Sequence, residues 1–491
     1  MSRDPGEAPA QDANEHREDR QGKRPWGPAN SQPGTPASSD GKLFPARLVA
    51  PLLWGTSLNP INSSVIATSL VAIATAFGVS AGQTASLVAA VYVASAIGQP
   101  AMGKLAGQFG PRRVFIGGLA ILTLAGVVGV LAPSFGWLVA SRALIGIGTA
   151  AGYPTAMSII RARADAAGTG IPGGVLGSIS IASQVTAALG LPIGGALVGL
   201  WGWPAVFAVN IPLGLFGILM TLLWVPTDAR RERRPVRELL SALDPTGMAL
   251  FAVSVIALIA LLSHVTHPTW WLVALFVLAV GVLVVWELHA RSPFIDVRML
   301  AHNGPLVRTY LRQALTLMAA YAVLYGYVQW LEEGRRLGAS VSGLVMLPMS
   351  VVAAICAAAI SRRALIRVPL LISGLALVAG GVGIASVGAS TSVVALIGLS
   401  LVFGVVMGMT TTSNQAALYM QTTAEQIGVA SGLARTASYL GAIFASGLIT
   451  LAYPARATDA GIHLIAWVIV GVGVVVLLLV LLDRSVPTRG R

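Results

Sequence analysis

Residues 83–132 read QTASLVAAVYVASAIGQPAMGKLAGQFGPRRVFIGGLAILTLAGVVGVLA. Apolar runs at 83–104 and 113–132 flank a short turn that contains Lys104, Arg112 and Arg113. A helix needs about 20 apolar residues to cross the ~30 Å hydrocarbon core of a bilayer. The stretch therefore predicts two membrane-spanning helices joined by a basic turn.

The composition of the whole chain agrees with this local prediction. Of 491 residues, 55% are hydrophobic and only 10% are charged, and the mean hydropathy is +0.78. Soluble domains carry about 25% charged residues, so a water-soluble enzyme is excluded. The single cysteine, Cys356, and six histidines without ligand spacing predict no disulfide, no metal site and no cofactor. We find no Walker loop, nucleophile elbow or paired-carboxylate motif, so we expect a protein that is not an enzyme.

Apolar runs of spanning length recur along the chain after residue 45 and predict an all-α integral membrane protein. A count of twelve spans would require dismissing 246–264 and 269–288, and both runs are long enough to cross. We therefore predict fourteen spans, near 47–77, 83–104, 113–132, 136–160, 170–198, 204–225, 246–264, 269–288, 305–330, 340–360, 367–388, 392–417, 427–454 and 461–483.

The distribution of basic residues supports an even number of spans with both termini in the cytoplasm. With fourteen spans, 27 of the 32 Lys and Arg residues fall inside, including Arg308 and Arg312 near the start of the ninth run, and three fall outside. This is the positive-inside pattern. The net charge of +13 is thus spread over short basic clusters between apolar runs. This distribution argues against a nucleic-acid-binding surface and indicates a bacterial inner membrane protein.

These observations divide the chain into segments. We predict a disordered cytoplasmic tail at 1–45, because this stretch is rich in Pro, Gly, Ser and charge. After this tail we predict five further segments: a six-helix bundle at 46–225, a basic cytoplasmic linker at 226–243, a central two-helix hairpin at 244–290, a second six-helix bundle at 303–483 and a cytoplasmic tail at 484–491.

The turn after the second span carries the first recognisable motif, Gly103-Lys-Leu-Ala-Gly107-Gln-Phe-Gly110-Pro-Arg112-Arg113. It resembles the G-x-L-a-D-r-x-G-r-r loop of the major facilitator superfamily. The resemblance implies a gating role for Gly103, Gly110, Arg112 and Arg113. Gly107 replaces the aspartate of the family, which weakens a charge-paired latch at the inner surface.

Two further motifs resemble gating elements of the same family. Arg142-Ala-Leu-Ile-Gly146-Ile-Gly148 in the fourth span is similar to R-x-x-q-G-x-G, and an arginine within a span must face protein or water. The fifth span contains Gly190-Leu-Pro192-Ile-Gly194-Gly195, which is similar to the G-P-x-x-G-G element of antiporters. Glycines there permit close helix approach and the proline bends the helix.

The remaining motifs resemble the fourteen-span drug:proton antiporters, the multidrug efflux branch of the superfamily that confers antibiotic resistance. They cover nearly all of 46–483: Trp203-Pro-Ala-Val-Phe207-Ala-Val-Asn210-Ile-Pro212, Leu243-Asp244-Pro-Thr-Gly247, Glu287-Leu-His-Ala-Arg291-Ser-Pro293, Tyr327-Val-Gln329, Gly343-Leu-Val-Met-Leu-Pro348 and Gly428-Val-Ala-Ser-Gly432.

The first span departs from this family. Its alignment places Asn62 where the antiporters have an aspartate, and an amide cannot carry a proton. No other acid lies near mid-membrane, and the candidate proton carriers are Glu287 at an inner end and Glu332 and Glu333 in an outer loop. Proton coupling is therefore doubtful.

Polar residues within the spans are candidates for lining a substrate cavity, although several can instead bond neighbouring helices. Arg435 lies too deep in its helix to reach water easily. The candidates are Asn59, Asn62, Gln184, Tyr321, Tyr325, Gln329, Asn414, Gln415 and Arg435.

The resemblance implies a monomeric alternating-access transporter that exports drug-like or amphipathic small molecules from the cytoplasm, with the lipid bilayer, the substrate and protons as candidate partners. One alternative is an exporter or flippase for a lipid or self-made metabolite that is not driven by protons. A second is a sensor or scaffold in which the motif losses mark a dead transporter.

Overall fold

The structure is a computed structural model that describes residues 43–169, 173–228, 244–263, 269–290, 293–295, 297–363, 365–388, 390–422, 427–483 and 485–486. Fourteen long helices, α1 to α14, account for most of these residues. They are Ala46–Phe77, Ala81–Phe109, Pro111–Val130, Phe135–Ala166, Gly173–Trp201, Pro204–Trp224, Pro245–Ser263, Trp270–His289, Gly304–Glu333, Ala339–Arg363, Arg367–Ala385, Val393–Gln421, Ile427–Ala452 and Asp459–Leu482.

Local sequence explains where these helices begin and where they change pitch. Ser80 and Gln83 form a capping box at the start of α2, and Pro111 occupies the first turn of α3. Gly110 joins the two helices with a φ of 96°, a conformation that favours glycine. Helix α1 tightens to a 3₁₀ turn over Ile66–Ser69, and α9 widens to a π turn over Ala322–Tyr327. Such turns are frequent at functional sites.

Twelve helices in the described part of the chain are long and apolar enough to cross a membrane. Helix α7 is apolar over a shorter stretch, Pro245–Leu261, and α13 is 26 residues long but contains Arg435. Both coincide with predicted spans, and the total of fourteen stays a prediction.

The helices pack as two bundles with the same internal arrangement. Helix α1 packs on α5, α2 on α4 and α3 on α6, and each pair recurs eight helices later as α9 on α13, α10 on α12 and α11 on α14. The bundles meet along two seams, α5 against α10 and α2 against α13. The two seams are equivalent, because α13 is the counterpart of α5 and α10 is the counterpart of α2. The fold is therefore the expected pair of six-helix bundles, and α7 and α8 form the hairpin inserted between them.

The described structure begins inside the segment predicted as a disordered tail. Phe44 is buried in an apolar cluster with Leu48 and Ile160, and Arg163 Nε donates to the Leu43 carbonyl at 2.6 Å. Residues 1–42, and residues 229–243 of the predicted linker, lie outside the described part. Arg312, which the charge count placed in a cytoplasmic segment, is instead fully buried in α9. Hydrogen bonds to Asn414 of α12 and to Thr309 of its own helix partly offset the cost of burying its charge.

Candidate functional site

Four tyrosines meet where the two bundles face each other. Tyr92 from α2 lies against Tyr321 from α9 and Tyr439 from α13, with ring centroids 5.1 and 5.7 Å apart. Tyr321 stacks on Tyr325 at 5.9 Å. The tyrosine cluster, Tyr92, Tyr321, Tyr325 and Tyr439, thus joins helices of both bundles through aromatic contacts.

Hydroxyl groups of the cluster also hydrogen-bond across the bundles. The hydroxyls of Tyr92 and Tyr325 are 2.9 Å apart, and Tyr325 donates to the carbonyl of Ser63 in α1 at 2.8 Å. Gln99 of α2 donates to the Tyr439 hydroxyl. These bonds connect the two bundles directly.

Arg142 of α4 lies beside the cluster and is 1% exposed. Its Nε donates to the Leu87 carbonyl at 3.1 Å and its Nη1 to the Asn62 carbonyl at 3.3 Å, while Nη2 is buried without a partner. A buried guanidinium without a carboxylate is costly unless polar groups compensate it. Arg142 therefore both ties α4 to α1 and α2 and keeps a free donor beside the tyrosine cluster.

The two asparagines of α1 make bonds within the first bundle. Asn59 donates to the hydroxyls of Ser95 at 3.1 Å and Thr149 at 2.9 Å, which connects α1, α2 and α4. The Asn62 amide donates to the Leu58 carbonyl of its own helix at 3.0 Å and is 5% exposed. In this conformation Asn62 is not directed at an open cavity.

Arg435 of α13 contacts the opposite bundle. Its guanidinium carbon lies 3.7 Å from the ring centre of Tyr153 in α4, which is cation–π geometry. The contact leaves the charge partly exposed. Gln415, by contrast, is exposed on α12.

A polar network fills the interior of the second bundle. Arg312 Nε donates to the Asn414 side-chain oxygen at 2.7 Å, and the Asn414 amide donates to Gln313 at 2.7 Å. Gln313 in turn donates to Ser438 at 3.2 Å. Arg312 Nη1 is buried without a partner, as is Nη2 of Arg142 in the first bundle. Asn414 therefore orients a buried cation and joins α9 to α12.

The outer end of α9 carries the remaining polar candidates. Gln329 is 1% exposed, and neither its amide nitrogen nor its oxygen has a partner. Glu333 accepts from the Ala457 backbone N–H, and the adjacent Trp330 donates to Asp459 at 2.7 Å. Glu332 Oε1 is buried and unpartnered. These residues hold α9 to the start of α14 at the predicted outer surface.

The glycines of α5 face two different helices. A Cβ on Gly190 would lie 2.5 Å from Ser64 Cβ, and one on Gly194 would lie 2.5 Å from the Val65 carbonyl, both in α1. Gly195 faces α10, where Ser340 Oγ donates to its carbonyl at 2.9 Å. The Gly190–Gly195 segment, which includes Pro192, thus lets α5 contact its own bundle and the other bundle.

The second seam is closed by backbone contacts at the same end of the molecule. Gly82 N–H donates to the Tyr453 carbonyl at 2.8 Å, and Thr450 Oγ1 donates to the Gly82 carbonyl at 2.9 Å. Both seams are therefore held together at the predicted outer end.

The turn between α2 and α3 is held by an acid that the motif does not contain. The Asp228 carboxylate accepts from the backbone N–H groups of Arg112 at 3.1 Å and Arg113 at 3.0 Å, which caps α3. A Cβ on Gly110 would lie 2.3 Å from this carboxylate. Gly103 precedes this turn in α2, and a Cβ at its position would lie 3.6 Å from Pro154 Cβ of α4.

A second acid group lies at the base of the hairpin. Asp244 Oδ1 accepts from Gly247 N–H at 3.0 Å and from Trp286 Nε1 at 2.8 Å. Glu287 Oε2 and Asp244 Oδ2 share the Phe294 N–H, at 2.9 and 3.2 Å. Lys104 Nζ and Glu287 Oε1 are buried without hydrogen-bond partners, and Lys104 is attracted by both acids. The hairpin thus places two carboxylates near the cation of the α2–α3 turn.

Sequence reasoning missed several of these residues. Tyr92, Tyr439 and Gln99 lie in apolar runs where only the presence of a polar group at mid-span could have indicated them. Asp228 and Lys104 could not be identified from the sequence, because their contacts are with residues far away in the chain: Asp228 with the start of α3, and Lys104 with Asp244 and Glu287. The side chain of Gln184 lies outside the described part.

The chain belongs to the Major Facilitator Superfamily, whose family model matches residues 52–446. It is 31% identical over 413 residues to the uncharacterized MFS-type transporter YwoD of Bacillus subtilis (strain 168), covering 83% of this chain and 90% of that relative. It is also 28% identical over 362 residues to the multidrug resistance protein Stp of Mycobacterium tuberculosis (strain CDC 1551 / Oshkosh), covering 71% of this chain and 63% of Stp.

A solved structure has the same fold. The nucleoside transporter NupG superposes with a TM-score of 0.61 at 12% identity, covering 88% of this chain and 99% of NupG. Together with the family match, the chain is a multi-pass membrane transporter of this superfamily, consistent with a bacterial plasma membrane.

Proposed function

We propose that the protein exports drug-like or other amphipathic small molecules by alternating access. The observation that carries this proposal is the tyrosine cluster between the bundles, with Arg142 beside it. A substrate that entered from the cytoplasm would replace the ring contacts and the hydroxyl bond of Tyr325 to Ser63. The resemblance to Stp supports drug-like substrates.

Substrate charge follows from the ionisable residues around this cluster. The acids of the described spans lie near helix ends, as Asp165, Glu287, Glu332, Glu333 and Asp459 do. Arg142 and Arg435 contribute positive charge close to the interface. Because burying a cation without a counter-charge costs several kcal/mol, neutral, zwitterionic and anionic amphipaths are the preferred substrates.

Proton coupling through the first span is absent in this proposal. Asn62 occupies the position of the antiporter aspartate, and its amide is bonded to Leu58. Glu287, Glu332 and Glu333 remain the candidate carriers, and each lies near a helix end. Coupling of transport to a pH gradient is therefore weak in this proposal. The proposed transporter is a monomer with both termini in the cytoplasm.

Transport into inside-out vesicles tests this function. A neutral amphipathic dye and a quaternary ammonium dye of similar size are compared with and without a pH gradient. The proposal expects the protein to speed the equilibration of the neutral dye across the membrane, to carry little of the cation, and to respond little to the gradient. Strong gradient-driven cation transport contradicts the charge preference. Transport of labelled phospholipid without transport of either dye favours the lipid exporter instead.

A further inference from the structure

An ion pair lies where the predicted cytoplasmic ends of α9 and α14 meet. Arg308 Nη2 is 3.0 Å from Asp483 Oδ1. The same carboxylate oxygen accepts from the Ser485 backbone N–H at 3.1 Å and its hydroxyl at 2.6 Å. Burial alone would raise the pKa of Asp483, but the bonds from Arg308 and Ser485 outweigh it and hold the pKa below its usual range. The Asp483 carboxylate is therefore ionised at neutral pH.

The pair opens onto a cavity of about 530 Å³ with an apolar wall. Val475, Leu478, Leu479 and Leu482 of α14 form that wall, and Arg308, Asp483 and Ser485 form the polar end. Leu478 is 49% and Leu482 77% exposed, so this side of α14 faces the bilayer. The cavity is therefore amphipathic and continuous with the lipid phase.

Each member of the ion pair keeps one polar atom unsatisfied. Arg308 Nε and Asp483 Oδ2 are both buried and have no hydrogen-bond partner. A buried donor or acceptor left unpaired costs about 1–3 kcal/mol. A ligand with both an acceptor and a donor at its polar end would satisfy the two atoms together.

We propose that this cavity binds one phospholipid whose headgroup carries a phosphate and a primary ammonium. The phosphate accepts from Arg308, the ammonium donates to Asp483, and an acyl chain lies along Leu478 and Leu482. The alternating charges of the site, one positive and one negative, complement the alternating charges of such a headgroup.

Other lipid classes match the site less well. The quaternary ammonium of phosphatidylcholine has no N–H to donate to Asp483 Oδ2. Phosphatidylglycerol has hydroxyl groups that can donate to Asp483 but no cation, so its net negative charge is not balanced by the ion pair, which is neutral overall. The preferred ligand is therefore phosphatidylethanolamine, and the site is separate from the tyrosine cluster and from the transported substrate.

Native mass spectrometry of the full-length protein in detergent tests this assignment with phosphatidylethanolamine, phosphatidylcholine and phosphatidylglycerol of identical acyl chains. We expect phosphatidylethanolamine to be retained at least about tenfold better than phosphatidylcholine, as one charge-assisted hydrogen bond would give. Arg308→Gln and Asp483→Asn should both abolish this preference. Arg308→Lys, which keeps the charge, should retain part of it and shows that the site is otherwise intact.

Arg367→Gln is the matched control, because Arg367 also lies at this end and donates to the Leu481 carbonyl at 3.2 Å. It should leave the preference unchanged. Equal retention of phosphatidylethanolamine and phosphatidylcholine by the native protein overturns the assignment. An equal loss in Arg367→Gln, or stronger retention of phosphatidylglycerol, also overturns it.

Discussion

Arg142 and Asn62 are joined by a hydrogen bond of 3.3 Å from the guanidinium Nη1 to the backbone carbonyl. The bond places a buried cation next to Asn62, the residue that the sequence alignment matches to the antiporter aspartate. Arg142 thus contacts α1 through the backbone carbonyl of Asn62, and the Asn62 side chain adds no charge of its own. This relationship makes Asn62 the position at which the charge preference is best tested.

Asn62→Asp should introduce transport of a quaternary ammonium dye that depends on a pH gradient. The new carboxylate would offer a counter-charge to the cation and a group that can bind a proton. Dye accumulation in vesicles with and without the gradient measures the effect. Asn62→Gln, which keeps an amide, should leave the cation untransported. If the aspartate variant folds, transports a neutral dye and still ignores the gradient, the alignment of the first span is wrong.

Gly194→Leu should abolish transport while expression and substrate affinity stay within a few-fold of the native values. The larger side chain would collide with Val65 and Thr68 of α1 and would stop α5 from moving along it. Transport and ligand binding are measured on the same preparation. Gly117→Leu is the control, since nothing lies within 4 Å of a Cβ at that position of α3. Persistent transport in the Gly194 variant would show that the glycine only serves packing.

Tyr325→Phe should weaken the contact between the bundles. It removes the hydroxyl that donates to Ser63 in the other bundle, a bond worth about 1 kcal/mol, or roughly a fivefold shift between conformations. Labelling rates of a single cysteine introduced at the outer seam report this shift, in a background where Cys356 is replaced. Tyr327→Phe, whose hydroxyl donates to Leu396 within its own bundle, should leave the labelling rate unchanged. Equal rates in both variants would contradict the assignment.

Reporter fusions after residues 234 and 298 should both report the cytoplasm. The expectation follows from fourteen spans and the inside location of basic clusters. The first site lies outside the described residues, and the second lies in the short helix Val297–His302 after α8. A periplasmic signal at either position would overturn the predicted orientation.

The ion pair of Arg308 and Asp483 should give a pH-dependent contribution to stability. The pKa of Asp483 is lowered in the folded protein, so the contribution is complete above the unfolded value of about 3.9 and is lost as the pH falls through the lower folded pKa. The melting temperature of Asp483→Asn should therefore lie below that of the native protein at pH 7, and the difference should narrow in strong acid. A constant difference across this range would show that the carboxylate charge has no role.

The fold could be predicted from the sequence because its signals are local. Apolar length, basic turns and the motif around Gly103 and Gly110 each depend on neighbouring residues only. The candidate site required distant pairs. Asn59 and Asn414 have the polar character expected of cavity residues, but in this conformation both bond neighbouring helices. Tyr92 and Tyr439 lie 347 positions apart and meet only because α2 packs on α13.

The eight-helix offset between equivalent helix pairs has a mechanical consequence. The offset exchanges the α5–α10 and α2–α13 seams, so each seam is the structural counterpart of the other. For two bundles that rock as rigid bodies about an axis between the seams, opening one seam at one end of the molecule also opens its counterpart at that end. A single covalent clamp across Gly195 and Ser340 would thus lock the distant Gly82–Tyr453 interface as well, without touching it.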